Sequence, residues 1–229
     1  MTPRMGGYVP ADHASRHQDG GRDEISIASL SGEAAVMTTH KADLDAHMIN
    51  LLEQFVVGTY LSYPYPHTTS VTITMTQYRL YAMLFVVARD MTFDRIAIDV
   101  NTLESGKDVR LGIYNCNASL KPSSLIKDCV TVDTDSAVLK ELALSPSVSL
   151  TKGRYFLVAI SDAGGTVRYE CTLPTVGGLG LSGTFGRAYS GYYLAGDSGD
   201  FAALPDPFGA SPTLYEYTPK IGLRLESLD

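Results

Sequence analysis

The chain has 229 residues, 45% hydrophobic and 19% charged, which supplies enough apolar surface for a packed core. Its 18 basic and 25 acidic side chains give a formal net charge of −7 with no basic stripe, so binding to nucleic acid through counterion release is not expected. No run approaches the ~18 apolar residues of a membrane span, and MTPRMGGYVPADH at the amino terminus lacks the apolar centre of a secretory signal.

Residues 1–37 are small and polar without a sustained period, and they read as an extended arm. Within it, ADHASRHQDGGRDEI (Ala11 to Ile25) places His13 and His17 four apart, the spacing of two ligands on one helical face. Gly20-Gly21 follows at once, however, and Ala14 stands where the glutamate of an HExxH zinc site would be. A third ligand from Asp12, Asp19 or Asp23 would need an unusual fold, or histidines from three chains meeting on an axis. The expectation is therefore no metal and no cofactor, with the imidazoles bonded to backbone.

Residues 38–58 turn helical in pattern. Thr39 is a suitable N-cap, and Asp43 and Asp45 sit where the helix dipole favours negative charge. Leu44, Met48, Leu51 and Phe55 recur at spacings of 4, 3 and 4, forming one apolar seam that Gly58 terminates. A lone helix cannot cover such a seam. Either it packs on its own domain, or copies from three subunits bundle into a short parallel trimer. His40 and His47 share a face near that seam and read as solvent or seam packing.

Residues 59–69 read as a linker, and residues 70–229 as β structure. Strand patterns appear at Val71 to Met75, Tyr78 to Val87, Phe93 to Val100, Val109 to Tyr114 and Cys129 to Val132. They continue at Val138 to Leu144, Ser147 to Leu150, Arg154 to Ile160, Thr166 to Glu170 and Lys220 to Leu225. Eight to ten short strands without interleaved helices predict a mainly β fold, an antiparallel jelly-roll-like β-sandwich. Strict alternation in Phe93 to Val100 puts Phe93 with Arg95, Ala97 and Asp99, against Asp94, Ile96, Ile98 and Val100. That phase sends Asp94 and Asp99 to opposite faces, so no carboxylate pair forms there. Cys116, Cys129 and Cys171 are too few and too odd in number for a disulfide framework, which fits a reducing cytoplasm; Cys116 and Cys129 could lie on neighbouring strands, but a buried thiol is favoured.

The Gly-rich segment Thr175 to Pro212 carries Phe185, Tyr189, Tyr192, Tyr193, Phe201 and Phe208. Packing into core or interface is the favoured role. The alternative is a platform for a host glycan, with rings from Tyr189, Tyr192 and Tyr193 and carboxylates from Asp197 and Asp200. The absence of Trp counts against it. Gly196-Asp197-Ser198-Gly199-Asp200 is similar to the nucleophile segment of trypsin-like serine proteases, but every histidine lies at or before His67 and none supplies a base. It reads as a turn. The run Gly177 to Gly183 lacks a P-loop lysine. No catalytic residue is assigned.

The motif HxxxHxxGGxDEI (His13, His17, Gly20, Gly21, Asp23, Glu24, Ile25), followed by SIASLSGE and THKADLDAHM, resembles a segment of tailed-bacteriophage virion structural proteins. The stretch Arg95 to Asp162, with RLGIYNCNASL and GRYFLVAISD, resembles a phage-associated β-sandwich module, although Cys129-Val130 departs from its usual small residue. The resemblance implies a homotrimeric fibre, spike or capsid-surface decoration protein in the virion, assembled in the host cytoplasm. It further implies that the arm docks on other virion proteins of capsid, portal, collar or tail, with the sandwich outward and available for host attachment. The alternative is a carbohydrate-binding module for host glycans without a structural role. Neither reading calls for an enzyme.

Overall fold

The computed structural model describes residues 55–62, 70–163, 168–172, 189–194 and 201–228, all within one unit, Phe55–Asp229. The arm with His13, His17, Gly20, Gly21, Asp23, Glu24 and Ile25 lies outside the described residues, as do the seam positions Leu44, Met48 and Leu51. Phe55 is described, and it packs half-buried against the sandwich core. Residues 55–58, expected to finish the helix, instead form a turn that Thr59 N–H closes onto Val56 O at 3.1 Å. Gly58 is left-handed there (φ 85°), and its N–H donates to Leu225 O at 2.8 Å, which fixes the chain onto a sheet rather than a helical path.

The fold is mainly β, with two antiparallel sheets, as the patterning predicts. One sheet holds β1 (Tyr60–Leu61), β2 (Ser70–Thr74), β4 (Met91–Thr102), β7 (Leu139–Leu150), β9 (Arg168–Thr172), β12 (Thr218–Pro219) and β13 (Ile221–Leu228). Its path runs β1-β13-β4-β9-β12, with β7 on β4 and β2 on β9. The other runs β11-β10-β3-β8-β5-β6, from β3 (Leu80–Val87), β5 (Asp108–Cys116), β6 (Pro122–Asp133), β8 (Gly153–Ser161), β10 (Gly191–Leu194) and β11 (Thr213–Tyr215). Between the sheets lies the main core, built on Met83, Phe85, Phe93, Ile96, Leu111, Leu157 and Leu223.

Two buried polar ties cross this apolar layer. The Ser161 and Tyr169 hydroxyls meet at 3.0 Å, linking β8 to β9. Ser190, just before β10, accepts from Thr218 N–H at 2.9 Å and Thr218 Oγ1–H at 2.8 Å. Each satisfies groups whose burial alone would be costly.

The six-stranded sheet is buried on both faces, which is why β3 (LYAMLFVV) and β8 (GRYFLVAIS) are nearly continuous apolar runs instead of alternating ones. Its second face carries Leu80, Ala82, Leu84, Tyr114, Phe156, Val158 and Tyr192, covered by Leu204 and Phe208. Fully burying each such large apolar side chain contributes ~1.5–3 kcal/mol. Phe208 meets Tyr114 edge-on at 5.3 Å, and the Tyr114 hydroxyl donates to Pro205 O. The covering segment is anchored by charge as well. Arg110 donates to Phe201 O at 2.8 Å and to Asp128 Oδ1 at 2.7 Å, while Asp128 Oδ2 accepts from Leu204 N–H at 3.1 Å. Gly112 leaves room beneath it: a Cβ there would lie 2.2 Å from Leu204 Cδ1. Tyr192 and Phe208 of the Gly-rich segment are thus core, with Phe201 half-buried against them, in line with the favoured packing role.

Bulges depart from strict alternation. In β4 the pairing skips between Phe93 and Arg95 against both β13 and β7, which inserts Asp94 as an extra residue. Phe93 therefore points inward with Ile96, Ile98 and Val100, not outward with Arg95. The bulge overturns the expected phase. β7 is one strand where two were expected, since its register jumps from Ala143 to Val148 opposite that same bulge. The predicted linker 59–69 contributes β1 to a sheet.

Candidate functional site

The outer face of the seven-stranded sheet holds a polar array set out by period two. Arg95-x-Ala97-x-Asp99 on β4 runs antiparallel to Lys220-x-Gly222-x-Arg224 leading into β13, with Ala97 opposite Gly222 and Arg95 opposite Arg224. Extending that register by one residue sets Asp99 opposite Lys220. Tyr60 stands beside Arg224 on one side, and Glu141 beside Ala97 on the other. Because of the bulge, Asp94 reaches this face too, and it pairs with Arg224, Nε to Oδ1 being 2.9 Å. Asp94 and Asp99 therefore share a face, contrary to the alternation.

The array is cross-linked. The Tyr60 hydroxyl donates to Glu141 Oε1, and Arg95 Nη1 donates to Glu141 Oε2 at 3.2 Å. The Arg224 guanidinium holds the Asp94 carboxyl below its ordinary pKa of 3.8. Burial, followed by the Glu141 hydrogen bond, pushes the Tyr60 phenol up, so it stays a protonated donor.

Beside this network lies a cleft of about 340 Å³. Ala97 and Gly222, residues without bulk, line it. A Cβ on Gly222 would already sit 3.4 Å from Tyr60 Cδ1. Tyr60 and Leu139 wall the cleft, and Ser62, Asp99 and Lys220 bring polar groups to it. Ser62 Oγ–H is committed to Ile221 O at 2.9 Å. Sequence reasoning missed this site. Its signal was the repeated pattern of charged, small, charged at alternate positions on two strands, legible once their register is known.

The three tyrosines expected to form a glycan platform are not brought together as one. Tyr192 and Tyr193 are successive on β10 and face opposite ways. Tyr192 is 4% exposed and packs on Phe156, with Tyr189 half-buried near the same cluster. Tyr193 joins the inter-sheet side, 5.2 Å from Tyr215, with Arg79 4.6 Å over its ring. Asp197 and Asp200 lie outside the described residues, as does the rest of GDSGD.

A second cavity of about 390 Å³ lies at the β5–β6 turn, between Cys116, Asn117, Leu120 and Arg154. Cys116 and Cys129 lie on the paired strands β5 and β6 as free thiols; Cys129 is buried, and desolvation pushes it up to about 12. Among the described residues, no group of three or more His, Cys, Asp or Glu side chains is arranged to hold a metal ion. The Asp108 carboxyl is pushed up by burial and then by the neighbouring charges of Asp162, Asp133 and Asp135.

No family model and no curated protein matches the chain. Among solved structures, it is similar to a clostridial cysteine protease, Cwp84 after propeptide cleavage, at 11% identity and a TM-score of 0.45, over 72% of this chain and 39% of that one. It is likewise similar to the cysteine protease and lectin-like domains of Cwp84, a surface layer associated protein of Clostridium difficile, at 11% identity and a TM-score of 0.43. That match covers 69% of this chain, which spans 36% of the other.

Proposed function

We propose that the chain is a non-enzymatic structural protein of a tailed-bacteriophage particle. In this reading residues 1–37 dock on other virion proteins, three copies associate, and the β-sandwich is displayed outward as a fibre, spike or capsid-surface element. The observation that carries it is the division of the chain: a sandwich packed within Phe55–Asp229, preceded by a polar, glycine-containing arm with the HxxxHxxGGxDEI motif. An arm with abundant backbone donors and few bulky side chains suits strand-like addition to a neighbouring subunit, where those donors find partners.

The test is particle incorporation. Full-length protein should be recovered on purified particles, and a variant lacking residues 1–37 should be absent from them while keeping a cooperative β melting transition. Particles that retain the truncated chain would overturn docking through the arm. The solution mass should be three times 24.7 kDa, and a monomer at high concentration would remove the trimer.

A further inference from the structure

We infer that the cleft between Tyr60, Ala97, Asp99, Lys220 and Gly222 is a binding site for a neutral saccharide. The inference goes beyond the particle reading and does not rest on it, since it concerns the free protein. It moves sugar recognition from the tyrosines of β10, which the fold divides between two faces, to the outer face of the seven-stranded sheet.

The hydrogen-bonding inventory points to the ligand class. The Tyr60 and Ser62 hydroxyls have spent their hydrogens on Glu141 and Ile221 O, so what they still offer is acceptor lone pairs. Asp99 adds a carboxylate, an acceptor, and Lys220 a donor. A lining rich in acceptors with one cationic donor complements a ligand dense in hydroxyls, each of which both donates and accepts. Asp99 and Lys220 bring one charge of each sign to the lining, so it carries no excess charge that would select a polyanion or a polycation.

The apolar surface points the same way. Leu139, 50% exposed, lines the cleft, and the Tyr60 side chain lies against Gly222, within 3.4–3.6 Å of where a Cβ would stand, on its way to Glu141. The Tyr60 ring and Leu139 offer apolar surface to the C–H face of a pyranose, while the polar lining meets its hydroxyls. A volume of about 340 Å³ is at the small end of ligand clefts and fits roughly one or two sugar rings. Arg95 pairs with Glu141, which in turn accepts from the Tyr60 hydroxyl, so Tyr60 is held in place before any ligand arrives.

The experiment uses the full chain on an array of neutral oligosaccharides built from glucose, galactose, rhamnose and N-acetylglucosamine, with sulfated glycans and random peptides as comparison. The strongest hit is then titrated calorimetrically. Asp99→Ala and Leu139→Lys, both at solvent-accessible positions, should each weaken it at least ten-fold with melting temperatures unchanged. Tyr193→Ala should leave it unaltered. The proposal fails if no neutral saccharide binds, if sulfated glycans or peptides bind better, or if binding survives both cleft variants. Loss with Tyr193→Ala alone would place the sugar on the tyrosine cluster and equally overturn it. Should Asp99→Ala lower the melting temperature, Leu139→Lys decides by itself. None of these outcomes depends on particle incorporation.

Discussion

Ser161 and Tyr169 join the two sheets through a hydrogen bond of 3.0 Å between hydroxyls buried in the core. Ser161 Oγ–H donates to Asp108 O at 3.1 Å, and the same oxygen accepts from Ala163 N–H at 3.1 Å. With its hydrogen spent, Ser161 must accept from Tyr169, whose phenol burial pushes up to about 12 and keeps protonated. Tyr169→Phe should therefore cost about 0.5–1.5 kcal/mol. Ser161→Ala, which strands the Tyr169 hydroxyl and Ala163 N–H while Asp108 O keeps Asp162 N–H at 3.2 Å, should cost more, about 1–3 kcal/mol. Urea titrations of the two variants check the order; equal costs would mean the tie does not organise its neighbours.

Two carboxylates give pH dependences of opposite sign. Asp94 is held below 3.8 by the Arg224 hydrogen bonds, so its stabilisation is present above 3.8 and lost as pH falls through the depressed folded value. Asp94→Asn should then melt earlier at pH 7 and match the parent in strong acid. Asp108 is raised by burial and by Asp162, Asp133 and Asp135, so its charged form opposes folding at neutral pH, and acid relieves that penalty. Asp108→Asn should melt later at pH 7, with the advantage shrinking as pH falls through the raised value towards 3.8. Thermal melts from pH 3 to 8 separate the two, and parallel curves for both variants would contradict these assignments.

Val130 occupies a left-handed conformation at φ 63°, 58% exposed, with its N–H held by Asp128 Oδ1 at 3.1 Å. A β-branched side chain is strained there and gains little packing in return. Val130→Gly should stabilise the protein by about 1 kcal/mol, and Val130→Asn by less. A chemical-denaturation midpoint that falls for the glycine variant would show the strain is relieved elsewhere.

Gly112 and Leu204 should be energetically coupled. An added Cβ at Gly112 would lie 2.2 Å from Leu204 Cδ1 and 2.9 Å from Lys127 O. Gly112→Ala should cost about 1–3 kcal/mol by lifting the covering segment. In the Leu204→Ala background the same change should cost markedly less, though Lys127 O prevents full recovery. A double-mutant cycle measures this, and strict additivity would disprove the contact.

Much of the sandwich was legible because burial leaves periods behind. β3, β5, β8 and β13 lie where their apolar runs or alternations put them, and the apolar run at Tyr81 to Ala88 reads as a strand because nothing polar is tolerated on either face. What escaped depended on partners far along the chain. The bulge at Asp94 lies opposite the break between Ala143 and Val148 in β7 and sets Asp94 against Arg224, partners not visible within eight residues of β4. The amino-terminal half of β6 (PSSLIKD) looks like a loop and is held as a strand by β5 and by Asp206 Oδ1, which accepts from Leu125 N–H at 3.0 Å. β1, β10, β11 and β12 are two to four residues long, too short to show a period. The cleft was invisible for the same reason, since its members come from β1, β4, β7 and β13 and meet through register alone.

The double burial of the six-stranded sheet also divides the molecule's tolerance of change. Along β3 and β8 each inward position answers to the inter-sheet core and each outward one to the layer beneath Leu204 and Phe208. Those strands form a chassis in which Arg154 is exposed and nearly every other side chain is buried. Diversity introduced in a library has to be written on the other sheet's outer surface and on the loops. A display scaffold built from this chain should randomise the neighbourhood of Ala97 and Gly222 and leave the chassis untouched.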